Sequence, residues 1–127
     1  MDSLISAAIQ ARENAHAPFS KFKVGAAVED GAGRIHTGCN VENATYGLSV
    51  CAERIAIFKA ISEGAKGFTR VVVVADTDRL TPPCGACRQI LWEFCGDIEI
   101  VLANLRGDSE TLRLGALFPK PFDASFI

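Results

Sequence analysis

Two short cysteine segments hold the residues best able to do chemistry. One is Cys51-Ala52-Glu53-Arg54; the other, about thirty residues on, is Pro82-Pro83-Cys84-Gly85-Ala86-Cys87. Cys84 and Cys87, spaced Cys-x-x-Cys at the start of a helix, can turn both sulfurs to one ion. The partial positive charge of a helix N-terminus also favours thiolate over thiol. Cys51 opens a second helix and shares that advantage. Three thiolates suit zinc, and three protein ligands leave a fourth position for water. Glu53 lies two residues from Cys51, so it can approach the ion without ligating it and move protons there. Three thiolates also load the ion with negative charge and make it a poorer Lewis acid. A guanidinium near a bound sulfur offsets this. Arg54 and Arg88 each follow a motif residue, and Arg54 is the preferred candidate for that charge-tuning role.

These segments need elements to hold them. Asp2 to Ala15 spaces Leu4, Ile5, Ala8, Ile9 and Ala11 as a helix that Asp2 or Ser3 can cap. Val24–Glu29 and Arg34–Gly38 read as strands joined by the turn Asp30-Gly31-Ala32-Gly33, an antiparallel hairpin. A polar loop follows from Asn40 to Ser49. Cys51 to Glu63 is helical and Gly64 stops it. Arg70 to Ala75 is a run of valines, the signature of a strand covered on both faces. Gly85 to Phe94 is the next helix and Ile98 to Ala103 the fourth strand. The connection to a fifth strand, Glu110–Leu114, is too short for a parallel crossover, so that strand runs antiparallel to the fourth. A helical turn falls near Gly115 to Phe118. The order implies one mixed sheet with helices on its faces, joined by right-handed crossovers.

Composition narrows the function classes. The 127 residues are 49% hydrophobic, which suits a single domain over 1–127 with one core. A formal net charge of −2 with scattered Lys and Arg argues against nucleic acid and for a small neutral ligand. No leader-like segment opens the chain and no apolar run is long enough to span a membrane, so the expectation is a cytoplasmic protein. Five cysteines without a secretion signal point to metal or catalysis rather than disulfides. Blander readings stand beside these. Cys84 and Cys87 fit a redox pair, which would leave Cys51 and Glu53 without purpose. A closed structural zinc site needs a fourth ligand from Cys39, Cys95 or His36, each read more readily as a packing or strand residue. Phe22 taken alone reads as core, and Tyr46 and Trp92 read as packing residues.

Cys-x-Glu followed by Pro-Cys-x-x-Cys is the three-cysteine form of the zinc deaminase signature. Beyond it, the chain resembles the short cytidine deaminases that assemble as homotetramers. The resemblance runs from about Ala15 to Pro119. It is carried by Phe19-Ser20-Lys21-Phe22-Lys23-Val24-Gly25-Ala26-Ala27, by Gly38-Cys39-Asn40-Val41-Glu42-Asn43-Ala44, and by Cys51-Ala52-Glu53-Arg54 with Pro83-Cys84-Gly85-Ala86-Cys87-Arg88-Gln89. It implies a three-layer α/β/α fold on a five-stranded mixed sheet and one zinc ion per chain on Cys51, Cys84 and Cys87. The implied reaction is hydrolytic deamination of cytidine and 2'-deoxycytidine to uridine or deoxyuridine and ammonia, a step of pyrimidine salvage. Water activated by zinc attacks C4, and Glu53 carries its proton to N3 and then helps protonate the departing ammonia. Asn40 and Glu42 match the positions that bind ribose hydroxyls, and Phe22 the aromatic that packs on the base. The backbone N–H of Ala52 matches the donor to the pyrimidine carbonyl. Phe122, with Phe126 nearby, matches the aromatic that closes a neighbouring subunit's pocket. Many relatives carry Ser or Thr where this chain has Pro82, whose backbone carbonyl serves near the leaving amino group; proline keeps that carbonyl. Blasticidin-type deaminases share the zinc motif but typically lack the Asn/Glu pair and the arginine after the glutamate. Deaminases of polynucleotides fit the acidic balance less well.

Overall fold

The computed structural model describes residues 2–127. Helix α1 (Ser3–Arg12) is followed by strands β1 (Val24–Glu29) and β2 (Ile35–Cys39), helix α2 (Ala52–Ser62), strand β3 (Arg70–Ala75), helix α3 (Gly85–Cys95), strands β4 (Glu99–Ala103) and β5 (Ser109–Arg113), and a short helix α4 (Leu114–Leu117). The sheet order is β2-β1-β3-β4-β5. β3 and β4 run parallel; every other neighbouring pair is antiparallel, the first hairpin and the last strand included.

Strand alternation sorts the core into two layers. Ala26, Val28, Val71, Val73, Ile100 and Leu102 face α2 and α3, where they meet Ala56, Ile57, Ala60 and Leu91. Ala27, Val72, Val74, Val101 and Ala103 face α1 and meet Leu4 and Ala8. The valine run is therefore covered on both faces, and the fold is a three-layer α/β/α arrangement. Two glycines bring helices unusually close to the sheet. A Cβ on Gly25 would lie 2.0 Å from the Ala8 carbonyl oxygen, and one on Gly38 would lie 2.5 Å from the Ala52 carbonyl oxygen and the Ala56 nitrogen. The first turn of α2 thus rests directly on β2.

The expected element boundaries shift by a residue or so at most ends, the range within which frayed termini vary. The largest difference is at α1, which stops at Arg12 rather than Ala15. There the hydrogen bonds switch to a tighter pitch, Asn14 N–H to the Ala11 carbonyl and Ala15 N–H to the Arg12 carbonyl. His16 then pairs with Val41 in an isolated bridge. Asp2 caps α1, its carboxylate accepting the Leu4 N–H at 2.8 Å. Among the described residues no helix is long and apolar enough to cross a membrane.

Candidate metal and substrate site

α2 leads toward the start of β3, and α3 leaves from its end, so both helix N-termini lie at the end of β3 that carries Ala75. Cys51 is the N-cap of α2 and Cys84 the N-cap of α3, and neither makes a side-chain capping hydrogen bond. Cys87 sits one turn into α3 and is buried. The three sulfurs lie within 4.8 Å of one another, and Cys51 Sγ and Cys84 Sγ are 3.9 Å apart. Two sulfurs bound at about 2.3 Å around a tetrahedral zinc stand about 3.8 Å apart. A disulfide requires about 2 Å. The spacing therefore fits an ion and not a Cys51–Cys84 bond.

The electrostatics fit as well. Hydrogen bonding from the Cys87 thiol, with the Arg54 guanidinium and Cys84 beside it, lowers Cys51 to about 5. Cys87 is pushed upward, chiefly by that same hydrogen bond with Cys51 and then by burial. The cluster thus favours the thiolate at Cys51 and the thiol at Cys87. Arg54 reaches Cys51 Sγ at 3.6 Å and the Ser49 carbonyl at 3.3 Å. Its Nε is buried without a hydrogen-bond partner among the described residues, an orphaned donor beside sulfurs that become fully ionised on binding a metal. Arg88 turns away, giving its hydrogen bonds to the carbonyls of Pro83 at 2.8 Å and Leu117 at 2.7 Å. No fourth protein ligand joins the group among the described residues. Cys95 packs against the core, burial raising it to about 12. His36 is held by Asp30 at 2.9 Å.

Beside the sulfurs lies a cavity of about 250 Å³. Glu53 lines it and is 4% exposed; burial raises its carboxyl to about 7. Buried Ala52, together with Val73, Thr81 and Pro82, forms other parts of the wall. The mouth carries Ser20, Phe22, Asn40 and Glu42. Asn40 grips the segment between β1 and α1: its amide donates to the Phe22 carbonyl at 2.7 Å and accepts the Val24 N–H at 2.9 Å. Glu42 accepts the N–H groups of Phe19 at 2.9 Å and Ser20 at 3.1 Å, and the Ser20 hydroxyl besides. A second, outer hollow of about 320 Å³ shares Ser20 and Glu42 and is bounded by Phe19, Tyr46 and Ser49.

One expectation from sequence changes. Tyr46 is no packing residue: it is 74% exposed and meets Phe19 edge to face, because its short 3-10 turn stands off the sheet. Phe122 lies outside the cavity of its own chain, exposed and stacked on Phe126 at 5.8 Å. Trp92 is partly buried and donates to Asp123 at 3.0 Å. Ser20, a member of the Phe19–Ala27 segment, and Thr81 line the cavity as well. In the sequence Ser20 is marked by that segment, and Thr81 only by standing before Pro82-Pro83-Cys84.

Residues 1–103 match the family model described as the cytidine and deoxycytidylate deaminase zinc-binding region. The chain is 51% identical over 122 residues to a cytidine deaminase of Halalkalibacterium halodurans, covering 95% of this chain and 92% of that protein. It superimposes on the crystal structure of cytidine deaminase from Burkholderia pseudomallei with a TM-score of 0.92 at 47% identity, covering 94% of this chain and 97% of the other. A blasticidin-S deaminase of Bacillus cereus is similar at 32% identity over 108 residues, 79% of this chain and 76% of that protein.

Proposed function

The chain belongs to the cytidine and deoxycytidylate deaminase zinc-binding family, and on that premise we propose that it hydrolyses cytidine, and 2'-deoxycytidine, to the uracil nucleoside and ammonia. The observation that carries this reading is a buried carboxyl, Glu53, beside three clustered thiols in the wall of a small cavity. Cys51, Cys84 and Cys87 would hold the zinc ion, which when bound supplies a Lewis acid that makes water nucleophilic near neutral pH.

The rest is work for the chain's own residues. Burial raises the Glu53 carboxyl to about 7, so it can both accept and release a proton near neutrality. It takes one proton of the attacking water and hands it to N3 of the ring, then takes the second from the hydroxyl now on C4 and gives it to the amino group as the C4–N bond breaks. Arg54, against Cys51 Sγ, draws off the negative charge that three thiolates collect. The N–H of Ala52 belongs to the first turn of α2, which leaves it free of intrahelical bonds and available to the base carbonyl. Phe22 packs on the ring. Asn40 and Glu42 keep hydrogen-bonding capacity beyond their bonds to the protein, enough to take ribose hydroxyls. The Pro82 carbonyl faces the leaving group in this scheme.

The cavity is lined by two carboxylate residues and by no Lys or Arg, which favours a neutral nucleoside over a nucleotide. The presence of Asn40, Glu42 and Arg54, with the higher identity to cytidine deaminases, favours cytidine over blasticidin S. The homotetramer with shared active sites, Phe122 of one copy closing the cavity of another, belongs to the same reading. So does a place in cytoplasmic pyrimidine salvage. The test is turnover of cytidine, deoxycytidine and blasticidin S by one sample in which zinc is quantified. About one zinc per chain and preferred use of cytidine are expected. Zinc-loaded protein with no detectable cytidine turnover would overturn the assignment.

A further inference from the structure

Ser20 lines both the inner cavity and the outer hollow. Its hydroxyl donates to one Glu42 carboxylate oxygen while its backbone N–H reaches the other at 3.1 Å. The same hydroxyl oxygen accepts the Phe22 N–H at 3.0 Å. Between the two residues stands Lys21, whose φ of 61° lies in the left-handed region that side-chain-bearing residues seldom occupy. A segment bent this way persists only where its surroundings hold it. Here the holding bonds come from Ser20, Asn40 and Glu42 and from the Ala17 carbonyl, which accepts the Lys21 N–H at 3.0 Å. The Ser20 hydroxyl is also the largest influence keeping the Glu42 carboxyl below its ordinary range.

The geometry points to Ser20 as a positioning residue for the nucleoside: one hydroxyl sets Glu42, which meets the sugar, and Phe22, which meets the base, at a fixed separation. This rests on the cytidine reading above. Ser20 does not touch the reacting atoms, so its loss acts on binding and not on the chemical step. A bound sugar hydroxyl would meet a Glu42 oxygen already oriented by Ser20, and without that bond the carboxylate is free to rotate.

The experiment compares wild type, Ser20→Ala and Ser20→Thr on cytidine and on 2',3'-dideoxycytidine, which lacks the 2' and 3' hydroxyls and keeps the 5' hydroxyl. With Ser20→Ala, KM for cytidine should rise about tenfold with kcat within about twofold, the size expected for losing one hydrogen bond to a charged group. The penalty in kcat/KM should shrink to under about threefold on the dideoxynucleoside, because only the Phe22 bond is then missed. Ser20→Thr keeps the hydroxyl and should restore KM. A merely structural role would lower both substrates equally, and that result would overturn the proposal, as would Thr behaving like Ala. A second arm combines the substitution with Glu42→Gln, and should Ser20→Ala fold poorly, Ser20→Cys, nearly isosteric with only a weak S–H donor, replaces it in both arms. Non-additive effects on cytidine KM are expected, and strict additivity would overturn the link. Wild-type protein that leaves cytidine untouched would instead remove the activity reading itself, and this proposal with it.

Discussion

At the scale of single residues, position in the fold converts ordinary side chains into reagents. Glu53 would be an unremarked surface carboxylate elsewhere; 4% exposure lifts it to about 7. Glu53→Gln keeps the shape and removes the transferable proton. It should retain full zinc and lose about 100-fold to 10,000-fold in kcat, the usual range for a general acid–base group. Steady-state kinetics with metal analysis on the same sample checks this, and a variant with substantial activity would end the assignment. The Cys51, Glu53, Cys84 and Cys87 set was legible in the sequence because its spacing is local: two residues, three residues, and two helix starts. The bracket formed by Asn40 and Glu42 around Phe19 to Val24 was not legible. Its bonds join positions 16 to 23 residues apart, and nothing in a one-dimensional pattern says which loops meet. The turn of Arg88 toward two carbonyls was hidden for the same reason.

At the scale of elements, the site depends on how closely α2 can lie on β2. Gly38 sets that distance. Gly38→Ala would place a methyl group 2.5 Å from backbone atoms of α2, and backbone cannot swing aside as a side chain can. Helix or strand must move. The expected cost is about 1–3 kcal/mol of stability, as for other overpacked positions. Because the displaced turn carries Cys51 and Glu53, kcat/KM should fall alongside. Thermal unfolding and kinetics on the purified variant check both; an unchanged melting temperature would contradict the contact. The elements themselves were readable from periodicity, with β1 and β3 found residue for residue and the antiparallel β5 deduced from a short connection. Their ends were less readable. α1 tightens after Arg12 through contacts of the following loop with Val41, which local propensity does not contain.

At the scale of the whole molecule, several large apolar side chains stand exposed. Phe122 and Phe126 are 57% and 70% exposed, and Tyr46 and Leu48 are 74% and 65% exposed. Exposed aromatic groups rimmed by polar residues mark contact surfaces more often than chance solvation. This agrees with the proposed tetramer, in which such rings cover a neighbour's cavity. Light scattering should give about four times the chain mass. Phe122→Ala should lower kcat/KM for cytidine while zinc content stays unchanged. A stable monomer with full activity would contradict the shared pocket. This level was the least legible of the three, because a lone chain's pattern shows that a residue is apolar but not what covers it.

The three long helices of this molecule do not begin alike. α1, which bears no chemistry, starts on an aspartate that satisfies a free N–H, whereas α2 and α3 start on cysteines that satisfy none. Serine or aspartate at such a position is typically worth about 1 kcal/mol. The protein therefore forgoes thermal robustness at the two helix ends where it needs reactivity. Selection for heat resistance alone would press on Cys51 and Cys84 first, and every gain there would dismantle the proposed metal site.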